Sequence, residues 1–269
     1  MNNVLIILGM HRSGTSLVAG WLNSCQLNLG DRLAGGGIGN KKGHFEDLDF
    51  LELHEEILFH YKINKTGLIP PFNFELNEYY TKKLKSNVQF KNSLHEQWGW
   101  KEPRTCLFIK QYAALLPKAK YLILYRDYKF VVESLIRRDF TYINNQYENL
   151  NKTEQKAQYK SFKSRVDDIQ LFINVYLSTW ITYNQNIIDL IKSTEKDNYI
   201  ILSYNRFVDD DKKIFETLKK WKFKLNYIPF TSFFEPGLIN EDLPKITFSA
   251  QLEKDAIAIK AQMLNLLTI

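Results

Sequence analysis

Apolar positions along this chain follow two rhythms. Short unbroken runs, VLIIL at 4–8, YLILY at 121–125 and YIIL at 199–202, predict strands covered on both faces of a parallel sheet. Elsewhere apolar residues recur every three or four positions, which predicts helices. Leu17, Trp21 and Cys25 mark the first, and Glu46 to Tyr61 the next, with Leu48, Leu51, Ile57 and Leu58 on one side. Leu76, Tyr80, Leu84 and Val88 mark another; one from Thr105 carries Leu107, Phe108 and Tyr112 and is closed by Pro117. Val131, Val132, Leu135 and Ile136 follow the second strand, and Ile169 to Ile187 is the longest helix. Asp209 to Asp211 cap a helix with Ile214, Leu218 and Trp221, and a last one holds Ile257, Met263, Leu264 and Leu267.

Three stretches lack either rhythm. Gly35, Gly36, Gly37, Gly39 and Gly43 predict a mobile loop over 28–45, either a lid over a site or a plain surface loop. Residues 141–165 are polar and predict an exposed connection or second lid, and a less regular segment holds Pro229, Pro236 and Pro244. With no repeat and no linker, the chain is expected to be one domain, 1–269. Its fold class is α/β: a three-layer, P-loop-like fold with a central, mainly parallel sheet and helices on both faces.

Composition narrows the function. A chain of 269 residues with 45% hydrophobic content can bury a sizeable core. The net charge of +6 is mild and forms no long block, so no nucleic-acid partner is expected. No apolar run approaches the roughly 18 residues of a membrane span. The N-terminus enters a strand at once, without room for a signal peptide, and Cys25 and Cys106 read as buried thiols of a reducing, cytoplasmic compartment. The N-x-[ST] matches at Asn64 and Asn151 carry no meaning there. Metal-ligand spacing is absent.

The chemistry begins at VLIILGMHRSGTSLVAGWL, 4–22: strand, glycine-bracketed loop, helix. Such a loop aims successive backbone N–H groups and a helix N-terminus at an anion, with Ser13, Gly14, Thr15 and Ser16 as candidate phosphate contacts. A triphosphate-binding loop would carry lysine where this chain has Thr15. The cation is Arg12 instead, which can fork onto a terminal anion or a bridging oxygen. Further on, Arg126 ends a strand, and Ser134 and Arg138 lie four apart on the next helix. They share a face and describe a second phosphate site. Read alone, the two stretches also fit a glycine-rich turn and a helix with solvated arginines.

GMHRSGTS, the spacing of Arg126, Ser134 and Arg138, and LSYNRFVDD with Tyr204 together resemble the sulfotransferases that use 3′-phosphoadenosine 5′-phosphosulfate (PAPS). The match is nearest the bacterial, glycan and tyrosyl-protein branches and spans residues 4 to about 221. The resemblance implies a 5′-phosphosulfate loop around Arg12, a 3′-phosphate grip by Arg126, Ser134 and Arg138, and an adenine neighbour in Tyr204. It also implies adenosine 3′,5′-bisphosphate as product, no metal, and a catalytic glutamate shortly after the first helix. Glu46 matches that place; it reads equally as a first-turn helix carboxylate. Lys101 resembles a lysine aimed at the sulfonate, or pairs with Glu102 at the surface.

Arg104 would meet an acidic acceptor or form an ion pair, and His44 and His54 are alternative bases or ordinary surface or lid histidines. The chain departs from the pattern at Tyr128, where proline is common, and Asp127 is placed to neutralise Arg126 in part. The basic C-terminal phosphate segment is absent; Pro244 and Lys245 do not replace it. The expected reaction is sulfuryl transfer from PAPS to a hydroxyl-bearing acceptor, a glycan or glycoconjugate. The alternatives are a magnesium-dependent P-loop kinase and an inactive nucleotide-binding module.

Overall fold

The computed structural model describes residues 2–36, 43–70, 74–206, 209–233 and 246–268, with the side chains of all but 165–167. Gly37, Gly39, Pro236, Pro244 and Lys245 lie outside the described residues.

Strands β1 (Asn3–Leu8), β2 (Gln97–Lys101), β3 (Lys120–Tyr125) and β4 (Tyr199–Ser203) form a parallel sheet in the order β2-β1-β3-β4. The apolar runs are buried on both sides because helices cover both faces. One face carries α1 (Thr15–Ser24) and α8 (Asp211–Lys220). The other carries α2 (Leu48–His60), α3 (Glu78–Leu94), α4 (Ile109–Leu115), α5 (Tyr128–Glu148), α7 (Ile169–Lys192) and α9 (Ala250–Leu266). The expected three-layer α/β architecture is therefore the observed one.

Three strands match the apolar runs; β2 does not. Its sequence, QWGWK, is short, and Gly99 interrupts the pattern for a steric reason. A Cβ there would sit 2.4 Å from the Leu5 carbonyl oxygen of β1. Residues 141–165 are not a loop. Helix α5 runs on to Glu148, and α6 (Lys152–Asp167) follows, capped by Asn151, whose Oδ1 accepts from the N–H groups of Thr153 and Glu154 at 3.0 Å. The α9 face is also shifted: Ala256, Ile259 and Met263 are buried, while Ile257 and Leu264 are exposed.

After β1 the chain goes to β2 on one side, and after β3 it goes to β4 on the other. Adjacent strands whose connections diverge leave a crevice at their carboxyl ends, where open α/β sheets bind ligands. The loop 9–14 and Arg126 both lie there.

Candidate active site

The loop after β1 is shaped by its backbone. Gly14 is the N-cap of α1 in the left-handed region, φ 86°, and Arg12 is also left-handed, φ 66°. For a residue with a Cβ that conformation stores about 1–3 kcal/mol, kept only where the surroundings over-determine it. Here they do. Arg126 Nη1 donates to the Arg12 carbonyl oxygen at 2.8 Å, and Arg12 Nε donates to Ser134 Oγ at 2.9 Å. The strained residue is thereby held by both elements of the second constellation.

Arg126 is fixed in turn. Its guanidinium lies 4.2 Å from the centroid of the Tyr204 ring, and its carbonyl oxygen accepts from Trp180 Nε1 at 3.0 Å. The Tyr204 N–H donates to the Tyr125 carbonyl oxygen, tying β4's exit to β3's. Asp127 does not neutralise Arg126 as expected. It caps α5 through the Lys129 N–H and pairs with Lys260 of α9 at 2.5 Å. Arg138 is braced by Asp139, which accepts from the Tyr176 hydroxyl.

Burial, then Arg138 and Arg126, pull the Arg12 pKa below its ordinary value. Three guanidinium groups are thus crowded around one loop, in a crevice that partly strips them of water. Such a cluster of partly buried cations favours the approach of an anion. Ser13 and Thr15 are buried, so the loop offers mainly its backbone, while the Ser16 hydroxyl accepts from Lys101 Nζ at 3.0 Å.

Lys101, the last residue of β2 and in register with Ile7 of β1, is fully buried. It does not pair with Glu102; its ammonium meets Glu46 Oε1 at 2.8 Å. Burial lowers its pKa and Glu46 opposes the shift.

Glu46 precedes α2 rather than sitting in its first turn: Asp47 is the N-cap. Three devices place it. The stems of the glycine-rich loop pair through Ala34 N–H to the Glu46 carbonyl (2.8 Å) and Leu48 N–H to the Arg32 carbonyl (2.8 Å). Lys91, almost wholly buried, binds Asp47, Asp49 and Asp31 at 2.7, 2.6 and 3.0 Å. Phe45 packs on α1 because Gly20 leaves room: a Cβ there would meet Phe233 at 2.5 Å and Phe45 at 2.7 Å.

The other candidates separate from the site. His54 is neither at the surface nor in a lid. It lies in the core between Glu102 (2.5 Å) and Tyr112 (2.7 Å). Arg104 is a buried ion-pair partner of Glu102 and Glu55. His44 is half-buried near Glu46; burial lowers its pKa, with Lys101 and Arg12 adding to the effect against Glu46. Sequence reasoning missed His11, whose buried Nε2 finds no hydrogen-bond partner among the described residues. It also missed the stacking of Arg126 on Tyr204. The position of His11 inside the loop was the available signal for the first; no sequence pattern announces the second. Among the described residues no three His, Cys, Asp or Glu side chains converge to hold a metal ion, and no helix is long and apolar enough to cross a membrane.

No protein-family model and no curated protein matches the sequence. Solved structures do. The sulfotransferase STF9 of Mycobacterium avium superposes with a TM-score of 0.56 at 14% identity, covering 100% of this chain and 77% of its own. A sulfotransferase domain from the curacin biosynthetic pathway gives 0.51 at 13% identity, covering 97% and 98%. The sulfotransferase STF1 of Mycobacterium tuberculosis gives 0.50 at 12% identity, covering 99% and 77%. At such identities the likeness establishes the fold: this chain has the fold of bacterial sulfotransferases.

Proposed function

We propose that the protein is a cytoplasmic sulfotransferase that moves a sulfuryl group from PAPS to a hydroxyl of a saccharide or glycoconjugate. The observation that carries this reading is the convergence of Arg12, Arg126 and Arg138 on a glycine-bracketed loop that lacks the lysine of a triphosphate site. PAPS has two anionic ends, and the arginines gathered around the loop are the cations that would meet them.

Arg126, Ser134 and Arg138 grip the 3′-phosphate, and Tyr204, under Arg126, borders the adenine. The amides of 13–16 and Arg12 hold the 5′-phosphosulfate. The acceptor oxygen attacks sulfur in line as the bond from sulfur to the bridging oxygen breaks. Glu46 takes the hydroxyl proton, and the bond's electron pair leaves with the 5′-phosphate of adenosine 3′,5′-bisphosphate. Arg12 meets the charge that builds on the bridging oxygen, and Lys101, between Glu46 and Ser16, faces the sulfuryl oxygens. A transferring sulfuryl group carries less charge than a phosphoryl group, so these side chains suffice without a metal.

The test is transfer from radiolabelled PAPS to a panel of hydroxyl acceptors in the presence of a chelator. Glu46→Gln should lower kcat by about 10²–10⁴, with bisphosphate affinity unchanged. Turnover that demands ATP and magnesium would overturn the reading in favour of a kinase. Bisphosphate binding without transfer to any acceptor would favour an inactive module.

A further inference from the structure

Helix α6 contributes no residue to the core clusters, and its described side chains are exposed or at most half-buried. At 3.6 residues per turn, Lys152, Lys156, Tyr159, Lys160 and Lys163 fall within an arc of about 100°, and no other residue of 152–163 does. The row extends for about 16 Å along the helix. Lysines one turn apart repel each other and weaken a helix. Among the described residues none of the four lysines is in an ion pair. Glu154, the nearest described carboxylate within the helix, is turned to the Asn151 N–H at 3.0 Å. Lys83, Lys91, Lys101 and Lys260 elsewhere are paired, while the row on α6 sets four lysines on one face.

Two further observations make this a surface rather than a solvated edge. Tyr159 stands 54% exposed within the row, and with Lys160, Lys163, Ser164 and Asp168 it lines a hollow of about 390 Å3. The helix is also anchored to the candidate site's own element. The Phe162 ring stacks on Tyr147 of α5, 4.1 Å between centroids, and α5 carries Ser134 and Arg138.

We propose that this face of α6 binds an acidic saccharide chain, so that the acceptor in the reaction proposed above is a polyanion. The inference rests on that reading for the word acceptor, while the binding surface stands on the helix alone. A lysine row with one exposed ring matches a chain of spaced carboxylates on sugar rings. An interfacial membrane helix would need a broad apolar face, which α6 does not have.

The experiment is titration of the full chain with a hyaluronan oligosaccharide, which is unsulfated and carries regularly spaced carboxylates. A neutral maltooligosaccharide, vesicles containing phosphatidylserine and a single-stranded DNA oligonucleotide serve as comparison probes. Adenosine 3′,5′-bisphosphate is titrated in parallel. The variant is Lys156→Gln/Lys160→Gln/Lys163→Gln, none of them a residue of the loop or one of its arginines. The expected result is salt-dependent hyaluronan binding, at least tenfold weaker in the variant, with bisphosphate affinity equal in both proteins. Equal hyaluronan affinity in the two proteins, absence of hyaluronan binding, or tighter binding of vesicles or DNA would overturn the proposal. Loss of hyaluronan binding in the variant, with no bisphosphate binding by either protein, would leave the saccharide surface standing and remove the sulfotransferase reading.

Discussion

Replacing Lys101 by Met separates stability from function at the centre of the candidate site. The side chain is fully buried, with Glu46 at 2.8 Å and Ser16 at 3.0 Å. At an effective dielectric constant near 20, a pair at that distance attracts with about 6 kcal/mol, a gain set against several kcal/mol for desolvating each ion. The lysine pKa is shifted below its ordinary value of 10.5, so burial outweighs the attraction. The folded protein therefore holds this charge at the expense of stability. Methionine has similar length and no charge, but it leaves the largely buried Glu46 carboxylate without its partner, so Lys101→Met should lose about 3–5 kcal/mol at pH 7, the cost of removing one member of a buried pair.

The sign with pH follows from the same shift. The unfolded chain binds the lysine proton more tightly, so the wild type gains stability as pH rises from the folded pKa toward 10.5. It should gain relative to the variant over that window, because methionine does not titrate. Turnover should fall by roughly 10²–10³, the loss typical of one preorganised donor. Urea unfolding at pH 7 and at pH 10, with kcat from initial rates, checks both parts. Activity kept in the folded fraction, whatever the stability loss at pH 7, would show a purely structural ion pair and refute the reasoning.

Two further substitutions probe the scaffold. Gly20→Val should drive Phe45 and Phe233 off α1, at about 1–3 kcal/mol for overpacking. It should lower kcat more than it raises the KM for donor, because Phe45 adjoins Glu46. Unchanged kcat in steady-state kinetics would refute that placement. Burial favours the neutral Glu102 carboxyl, yet Arg104 and His54 overcome it and hold its pKa well below the usual carboxylate range. Glu102 therefore contributes stability above its ordinary value of 4.5, and loses it as pH falls toward the depressed folded value. The stability difference between wild type and Glu102→Gln should shrink on acidification from pH 5 to pH 2 in denaturant titrations. A constant difference would contradict the assignment.

Apolar runs announced β1, β3 and β4 because those strands are buried on both faces, and burial of that kind leaves a continuous signal. The edge strand β2 is five residues long and broken by Gly99, whose role is close approach to Leu5, a tertiary fact. Helix α6 was illegible for a related reason: its described residues add nothing to the core, so no apolar period marks it, and its Asn151 cap is a local cue. The face of α9 was misread because Ala256 fills a core position less conspicuously than Ile257 would. At the site, the loop, Arg126, Ser134 and Arg138 were legible as spacing, and the structure brings them together around Arg12. The partners of Lys101, Asp127 and His54 were not, since each is set by a residue distant in sequence. Glu46 could be placed by order alone, but Gly20, Lys91 and the loop stems that fix it become visible only in three dimensions.

The central claim is that the crevice binds a nucleotide bisphosphate through side-chain cations. Calorimetric titration tests it most directly, with adenosine 3′,5′-bisphosphate in chelator and separately with ATP and magnesium, on the wild type and on Arg126→Ala. The account predicts micromolar metal-free binding of the bisphosphate, weakened at least tenfold in the variant by loss of a charge-assisted contact worth about 1.5–3 kcal/mol. Preferential binding of ATP with magnesium, or bisphosphate affinity indifferent to Arg126, would contradict it.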